Sequence, residues 1–262
     1  MRANLIIFLS AICLIAGWNA APVSADTIQI GASADNTLYE DAGGALSNGA
    51  GAHLFAGNTD QGTSGDGRRA LISFDIAGAI SAGSTITSVT LTLNASRVSD
   101  NTSVAISLHT VTQAWGEGTS DAPGQEGAGA SSTTGDATWL HTLFNTSTWT
   151  SPGGDFSAGA SATTNVTGTG SYAWASVQMV ADVQGWVDTA ATNFGWLILA
   201  NEAINPGAKR FDSRENTTAS FRPVLEVTFT PSAIPEPASM LLLGLGLSGL
   251  AALRRRGGSP RN

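Results

Sequence analysis

The stretch "STITSVTLTLNAS" constrains this chain most. Val89, Leu91, Leu93 and Ala95 alternate with Thr90, Thr92 and Asn94. Successive side chains on a strand point to opposite faces, so a period of two describes a strand with one dry face and one wet face. "VAISLHTV" repeats the pattern through Val104, Ile106, Leu108 and Thr110. "RRALISFDI", "GWLILA" and "RPVLEVTF" add β-branched and aromatic runs, and "AHLFAG" is a weaker one. Glycine-rich segments such as "NTDQGTSGDG" and "INPGA" punctuate them.

One segment has helical spacing. In "SVQMVADVQGWVD", Val177, Val180, Val183 and Val187 recur at three or four residues, lining one helix face. Many strands and one short helix predict an all-β, antiparallel sandwich of jelly-roll type, with the helix capping one end. No internal repeat of solenoid or propeller length is visible. "GEGTSDAPGQEGAGASSTTGD" is a long loop of small residues, a kind that is usually functional or disordered.

The two ends read differently from the body. Arg2, the apolar run Leu5 to Ala16 and the small residues Val23 and Ala25 form a secretory signal peptide, residues 1–25, with cleavage expected after Ala25. Cys13 is the only cysteine, and cleavage removes it. The mature body, residues 26–231, then has no disulfide, thiol nucleophile or cysteine-bound zinc, and stands on its hydrophobic core. Only seven of the twelve basic residues lie in this body, in a chain of net charge −8. An acidic domain repels a phosphate backbone, which argues against nucleic acid as a partner.

Residues 232–262 make a third segment. Pro235, Glu236 and Pro237 precede sixteen apolar or small residues, Ala238 to Leu253, followed by Arg254, Arg255 and Arg256. As a helix that run spans about 24 Å, short of the roughly 30 Å hydrocarbon core. It therefore predicts a transmembrane helix that crosses only with thinning or snorkelling arginines, the arginines inside and the body outside. The order of triplet, apolar run and arginine cluster resembles the PEP-CTERM sorting signal. That resemblance implies Sec export, transient residence in the inner membrane, and cleavage near the triplet by an exosortase. Bacteria with such systems commonly make extracellular polysaccharide.

The body also carries a resemblance. "DNTLYEDAGGALSNGAGAHLFAG", "RRALISFDIAGAISAGSTITSVTLTL", "WGEGTSDAPG", "DATWLHTLFNTSTWTSPGGDF", "VADVQGWV", "NFGWLIL" and "KRFDSREN" with "RPVLEVTF" occur in one order. Together they resemble the DNRLRE-type β-sandwich domain of secreted bacterial proteins, similar to carbohydrate-binding modules, some of which recognise alginate. The resemblance implies a jelly roll that binds glycan without chemistry.

Candidate ligand residues follow from chemistry. Trp115, Trp139 and Trp149 flank long polar loops, and aromatic faces stack on sugar rings. In "KRFDSREN", Arg210, Asp212 and Arg214 share one strand face, opposite Lys209, Phe211 and Ser213. Arg210 and Arg214 can fork onto a uronic-acid carboxylate. The alternative is a structural ion pair for the arginines and a packing role for each tryptophan. Asp60 and Asp66 are conceivable ligands of a structural calcium, against the alternative of an ordinary solvated turn. No cofactor is expected otherwise. His53, His109 and His141 are far apart, and no metalloprotease, hydrolase or phosphate-loop motif is present, so no enzyme activity is expected. The expected function is an exported, non-catalytic envelope or matrix protein that binds extracellular polysaccharide. The competing expectation is a structural surface or biofilm protein with no specific ligand. A polysaccharide-degrading enzyme and an ice-binding protein are further, weaker alternatives.

Overall fold

The computed structural model describes residues 24–60 and 65–232. The apolar core of the signal peptide, the transmembrane helix 238–253, the Pro235-Glu236-Pro237 triplet and Arg254, Arg255 and Arg256 lie outside the described residues. Among the described residues, no helix is long and apolar enough to cross a membrane.

The strands in chain order are β1 (Asp26–Tyr39), β2 (Leu46–Ser47), β3 (His53–Asn58), β4 (Gly67–Phe74), β5 (Thr85–Val98), β6 (Val104–Thr110) and β7 (Ala130–Ser131). They continue with β8 (His141–Leu143), β9 (Ser147–Thr148), β10 (Ala162–Val166), β11 (Gly170–Ala175), β12 (Trp196–Ala200), β13 (Lys209–Asp212) and β14 (Val224–Thr230). A single helical turn, α1 (Ile76–Ala79), and one true helix, α2 (Val177–Asp188), complete the elements that matter here. Every run that alternates or is β-rich in the sequence is a strand, and every pairing is antiparallel.

Two strands are shared between two layers. β1 pairs with β14 through Asp26 to Gly31, then with β4 through Ala32 to Tyr39, with an irregularity at Ala32/Ala34 where it turns from one layer to the other. β3 does the same, meeting β13 through His53 to Ala56 and β4 through Gly57 and Asn58. As a result β1, β14, β5, β13, β3 and β4 close into a ring. β11 extends one layer from β5, and β12, β6 and β10 extend the other from β4. Among the described strands of this sheet, β10 and β11 are left as edges, each with one strand partner.

The core lies between the layers. Val89, Leu91, Leu93 and Ala95 of β5 meet Ala70, Ile72, Phe74, Ile106, Leu108 and Ile198 from the opposite layer. The threonines and Asn94 between them stay half-exposed, as the period of two requires. Trp174 and Trp196 are fully buried and anchor this core, each giving its indole N–H to an acceptor: Ile106 O for Trp174 and Asp182 for Trp196.

Helix α2 sits against β5 but presents a different face from the one its valines suggest. Met179, Val183, Trp186 and Val187 are buried, Val180 is only half-buried, and Val177 is 90% exposed. The start of the helix explains the rotation. Ser176 caps it by accepting from the Met179 N–H at 3.0 Å, which places Val177 on the outer side of the first turn. Met179 and Trp186 then supply larger apolar surfaces than valine, and Trp186 packs on Trp196 with ring centroids 4.5 Å apart.

The second layer has no wet face along its centre. Leu38, Leu71 and Leu197 point outward from it into a second core with Val111, Ala137 and Trp149. The long connection after β6 folds back over them. This explains why "GWLILA" is apolar without alternation: both of its faces are covered.

Candidate functional site

The three tryptophans proposed as sugar platforms belong to that second core. Trp149 is 5% exposed and donates to the Thr138 carbonyl at 2.9 Å. Trp115 and Trp139 are half-buried against the same cluster, and Trp115 donates to the Phe194 carbonyl at 2.8 Å. The Arg69 guanidinium lies 4.8 Å above the Trp139 ring while gripping Glu202 through both carboxylate oxygens. A connection of this length with little regular structure needs large apolar anchors, and the tryptophans supply them. A groove of about 500 Å³ runs beside them, past Arg69, Gln113, Thr150 and Asp155. Its charges are spent internally, since Asp155 accepts from Gln113 and from the Thr150 and Ser151 N–H groups.

A second groove, of about 550 Å³, crosses the outer face of the first layer over β11, β5, β13 and β3. Its floor is Asp212, 2% exposed, which accepts from Asn94 at 2.6 Å and Asn216 at 2.9 Å. His53 stands beside it, with Nε2 3.6 Å from Asp212 and Nδ1 2.9 Å from Glu126. Burial pushes the Glu126 carboxyl up, but hydrogen bonds from His53 and Asn48 outweigh it and hold the group below its ordinary value. One wall is the turn Asn216 to Phe221. Phe221 is 46% exposed, and the only other exposed large apolar residue among the described residues is Val177.

Two arginines stand where Ser96 lines the groove. Arg210 of β13 is the direct cross-strand partner of Arg97 of β5, and the register slips between this pair and the next. The slip is a bulge at Ser96. It breaks the alternation of β5, so Arg97 leaves the face that strict alternation would give it. Both guanidinium groups converge on one neutral oxygen, Oε1 of Gln125, at 2.9 Å from Arg97 and 2.8 Å from Arg210. Arg210 also donates to Ser96 Oγ at 3.1 Å. Among the described residues, neither has a carboxylate within 4.0 Å. Burial pulls the Arg210 guanidinium below its ordinary value, Arg97 adds to that, and Asp212 and Glu126 oppose it.

Lys209, Arg68 and Arg214 are committed elsewhere, and Arg222 donates to the Asn216 carbonyl at 2.7 Å. Lys209 is fully buried and donates to the carbonyls of Asp100 and Thr102 at 3.2 and 2.9 Å. Arg68 donates to the Gly65, Gly67 and Gly127 carbonyls. Arg214 takes the ion-pair alternative: its Nη1 donates to both oxygens of Glu117 and lies 2.8 Å from Glu215 Oε1. Arg210 and Arg214, expected to share one grip, are therefore separated in role.

Carboxylates gather away from Asp60 and Asp66, which lie on either side of residues 61–64. Asp35, Glu117 and Glu215 each place an oxygen within 4.8 Å of the others. Asp35 comes from the half of β1 that faces β4, Glu117 from the connection after β6, and Glu215 from the turn after β13. Asn36 fixes Glu117 by donating to its carbonyl at 2.8 Å, and Gly49 allows the close approach, since a Cβ there would lie 1.7 Å from that carbonyl oxygen. Burial drives the Asp35 carboxyl well above its ordinary value, and burial with the Glu117 charge raises Glu215 as well.

The tail matches a known family model. The PEP-CTERM protein-sorting motif covers residues 233–256. The chain thus carries the sorting tail of an exported protein, held at the membrane through its C-terminal end until an exosortase processes it. No curated protein matches the chain.

Proposed function

We propose that the exported body binds an acidic polysaccharide in the groove over β11, β5, β13 and β3, without chemistry. The observation that carries this reading is an open groove lined by an exposed aromatic residue, Phe221, with two arginines beyond Ser96 at its margin that share only a neutral acceptor. Phe221 offers a face for a sugar ring. Arg97 and Arg210 converge on Gln125 Oε1, where a uronate carboxylate would find charge-assisted donors. Like charges directly opposite on a sheet are mutually destabilising, so an anion there also relieves a repulsion.

The carboxylate that lines the groove and the one behind His53 do structural work: both Asp212 oxygens accept from asparagines, and Glu126 accepts from Asn48 and His53. That supports binding rather than hydrolysis. The ordered resemblance to DNRLRE-type domains and a jelly-roll reading of the two layers agree with a glycan-binding module, and the sorting tail agrees with a place among extracellular polysaccharide.

Affinity electrophoresis tests the reading. Migration is expected to slow in gels containing alginate or polygalacturonate and to stay unchanged with dextran or soluble starch. Equal migration in all four gels would remove the proposal and leave a structural surface protein as the better reading.

A further inference from the structure

Two buried oxygens in the three-carboxylate group have no partner. Asp35 is fully buried; its Oδ2 accepts from the Arg214 backbone N–H at 2.8 Å, and its Oδ1 accepts from nothing. Glu215 Oε1 faces the Arg214 guanidinium, and its Oε2 is likewise buried and unpartnered. A buried carboxylate oxygen left unsatisfied is costly, and native interiors rarely leave one. Both orphans belong to one cluster of three carboxylates, of which Glu117 and Glu215 contact the Arg214 guanidinium and Asp35 only the Arg214 backbone N–H.

We infer that Asp35, Glu117 and Glu215 form a calcium site that ties the connection after β6 and the turn after β13 to β1. The dimensions fit. Oxygens bound to one calcium at about 2.3–2.6 Å lie up to about 4.6–5.2 Å apart when opposite each other. The three carboxylates fall within 4.8 Å. A divalent ion offsets the charge that Arg214 leaves unmatched and gives Asp35 Oδ1 and Glu215 Oε2 the partner they lack. Calcium takes six to eight oxygens in flexible geometry, so water and spare carboxylate lone pairs complete the shell. Magnesium demands a tighter octahedron and gives up water reluctantly, so calcium is preferred over it.

The site is structural in effect. Glu215 precedes Asn216, which begins the wall of the groove, so the ion would also steady that turn. The inference stands on the orphaned oxygens and is independent of whether the groove binds glycan.

The test uses the full chain, stripped with EDTA and passed through a chelating resin. Calcium chloride is titrated in by calorimetry, with magnesium chloride as the comparison, and melting is followed in parallel. One calcium per chain is expected, with binding at least tenfold tighter than magnesium. At free calcium about 100 times Kd, Tm should rise by roughly 5–10 °C. Asp35→Asn and, should that variant fold poorly, Glu215→Gln should abolish the shift. No heat of binding and the same Tm in millimolar calcium and in EGTA would overturn the inference. So would an Asp35→Asn variant as stable as the wild type in both buffers, because a proton shared between Asp35 and Glu215 then accounts for the orphan oxygens.

Discussion

Replacing Trp149 by alanine separates the packing role of the tryptophans from a sugar-stacking role. A tryptophan that is 5% exposed keeps nearly all of its apolar area from water. At about 25 cal/mol per Å² over roughly 150–250 Å², that burial is worth about 4–6 kcal/mol. The extended-chain reference makes this an upper figure, and the loop can partly collapse into the space. Losing the bond to the Thr138 carbonyl adds about 1 kcal/mol. A loss of about 4 kcal/mol is therefore expected, which lowers Tm by roughly 8–16 °C for a domain of this size. Trp149→Phe should lose about half as much. Differential scanning calorimetry gives the number, and limited proteolysis gives the location: cuts should appear first in the connection between β6 and β10. A Trp149→Ala variant within about 0.5 kcal/mol of wild type, yet weaker in glycan retention, would refute the packing account.

Other expectations concern local devices. Ser176→Ala removes the cap of α2 and should cost about 0.5–2 kcal/mol in urea unfolding, whereas Val177→Ser on the exposed side of that helix should change almost nothing. Gly49→Ala should destabilise the protein by more than 1 kcal/mol, since the new Cβ collides with the Glu117 carbonyl, and calcium should lose its stabilising effect with it. Glu126→Gln should cost on the order of 1–3 kcal/mol at neutral pH, through the bonds to His53 and Asn48. The folded Glu126 carboxyl titrates below its unfolded value, so its contribution is fully present above the unfolded pKa of about 4.5 and is lost as pH falls through the lower folded value. The stability gap between wild type and Glu126→Gln should thus close as pH falls below about 4.5, as followed by urea titrations at each pH.

The strands were legible because their physics is local. Alternation in "STITSVTLTLNAS" sets which residues face the core, and β5 buries the four it names. The Lys209/Phe211 and Arg210/Asp212 split was legible for the same reason, but β13 ends at Asp212, so Ser213 and Arg214 lie in the turn beyond it and not on those strand faces. The helix was legible as an element but not in its rotation, because the cap at Ser176 and the Trp186–Trp196 contact are decided by tertiary packing. The second core was hidden: a loop that covers a sheet leaves no periodicity, and its tryptophans read equally well as platforms. Continuous apolarity in "GWLILA" was the available sign that both faces of that layer are dry. Arg97 was missed because a bulge has no sequence signature in a strand that otherwise alternates. Phe221 was missed beside the strand "RPVLEVTF", although an aromatic residue after four small polar or alanine residues and before Arg-Pro marks a turn that exposes a ring. Asp35, Glu117 and Glu215 are separated by most of the chain, and only the closed topology brings them together.

The most direct test of the glycan-binding account is calorimetry of a short oligouronate with the wild type, Phe221→Ala and the double variant Arg97→Gln/Arg210→Gln. Saturable binding is predicted for the wild type, weakening as salt screens the arginines. Phe221→Ala should bind roughly 3–10-fold more weakly, from about 0.5–1.5 kcal/mol of ring contact. The double arginine variant should lose roughly tenfold or more, from about 1.5–3 kcal/mol per charge-assisted bond, with its Tm held or raised. Binding of equal strength in all three proteins would contradict the account and place any glycan site elsewhere on the molecule.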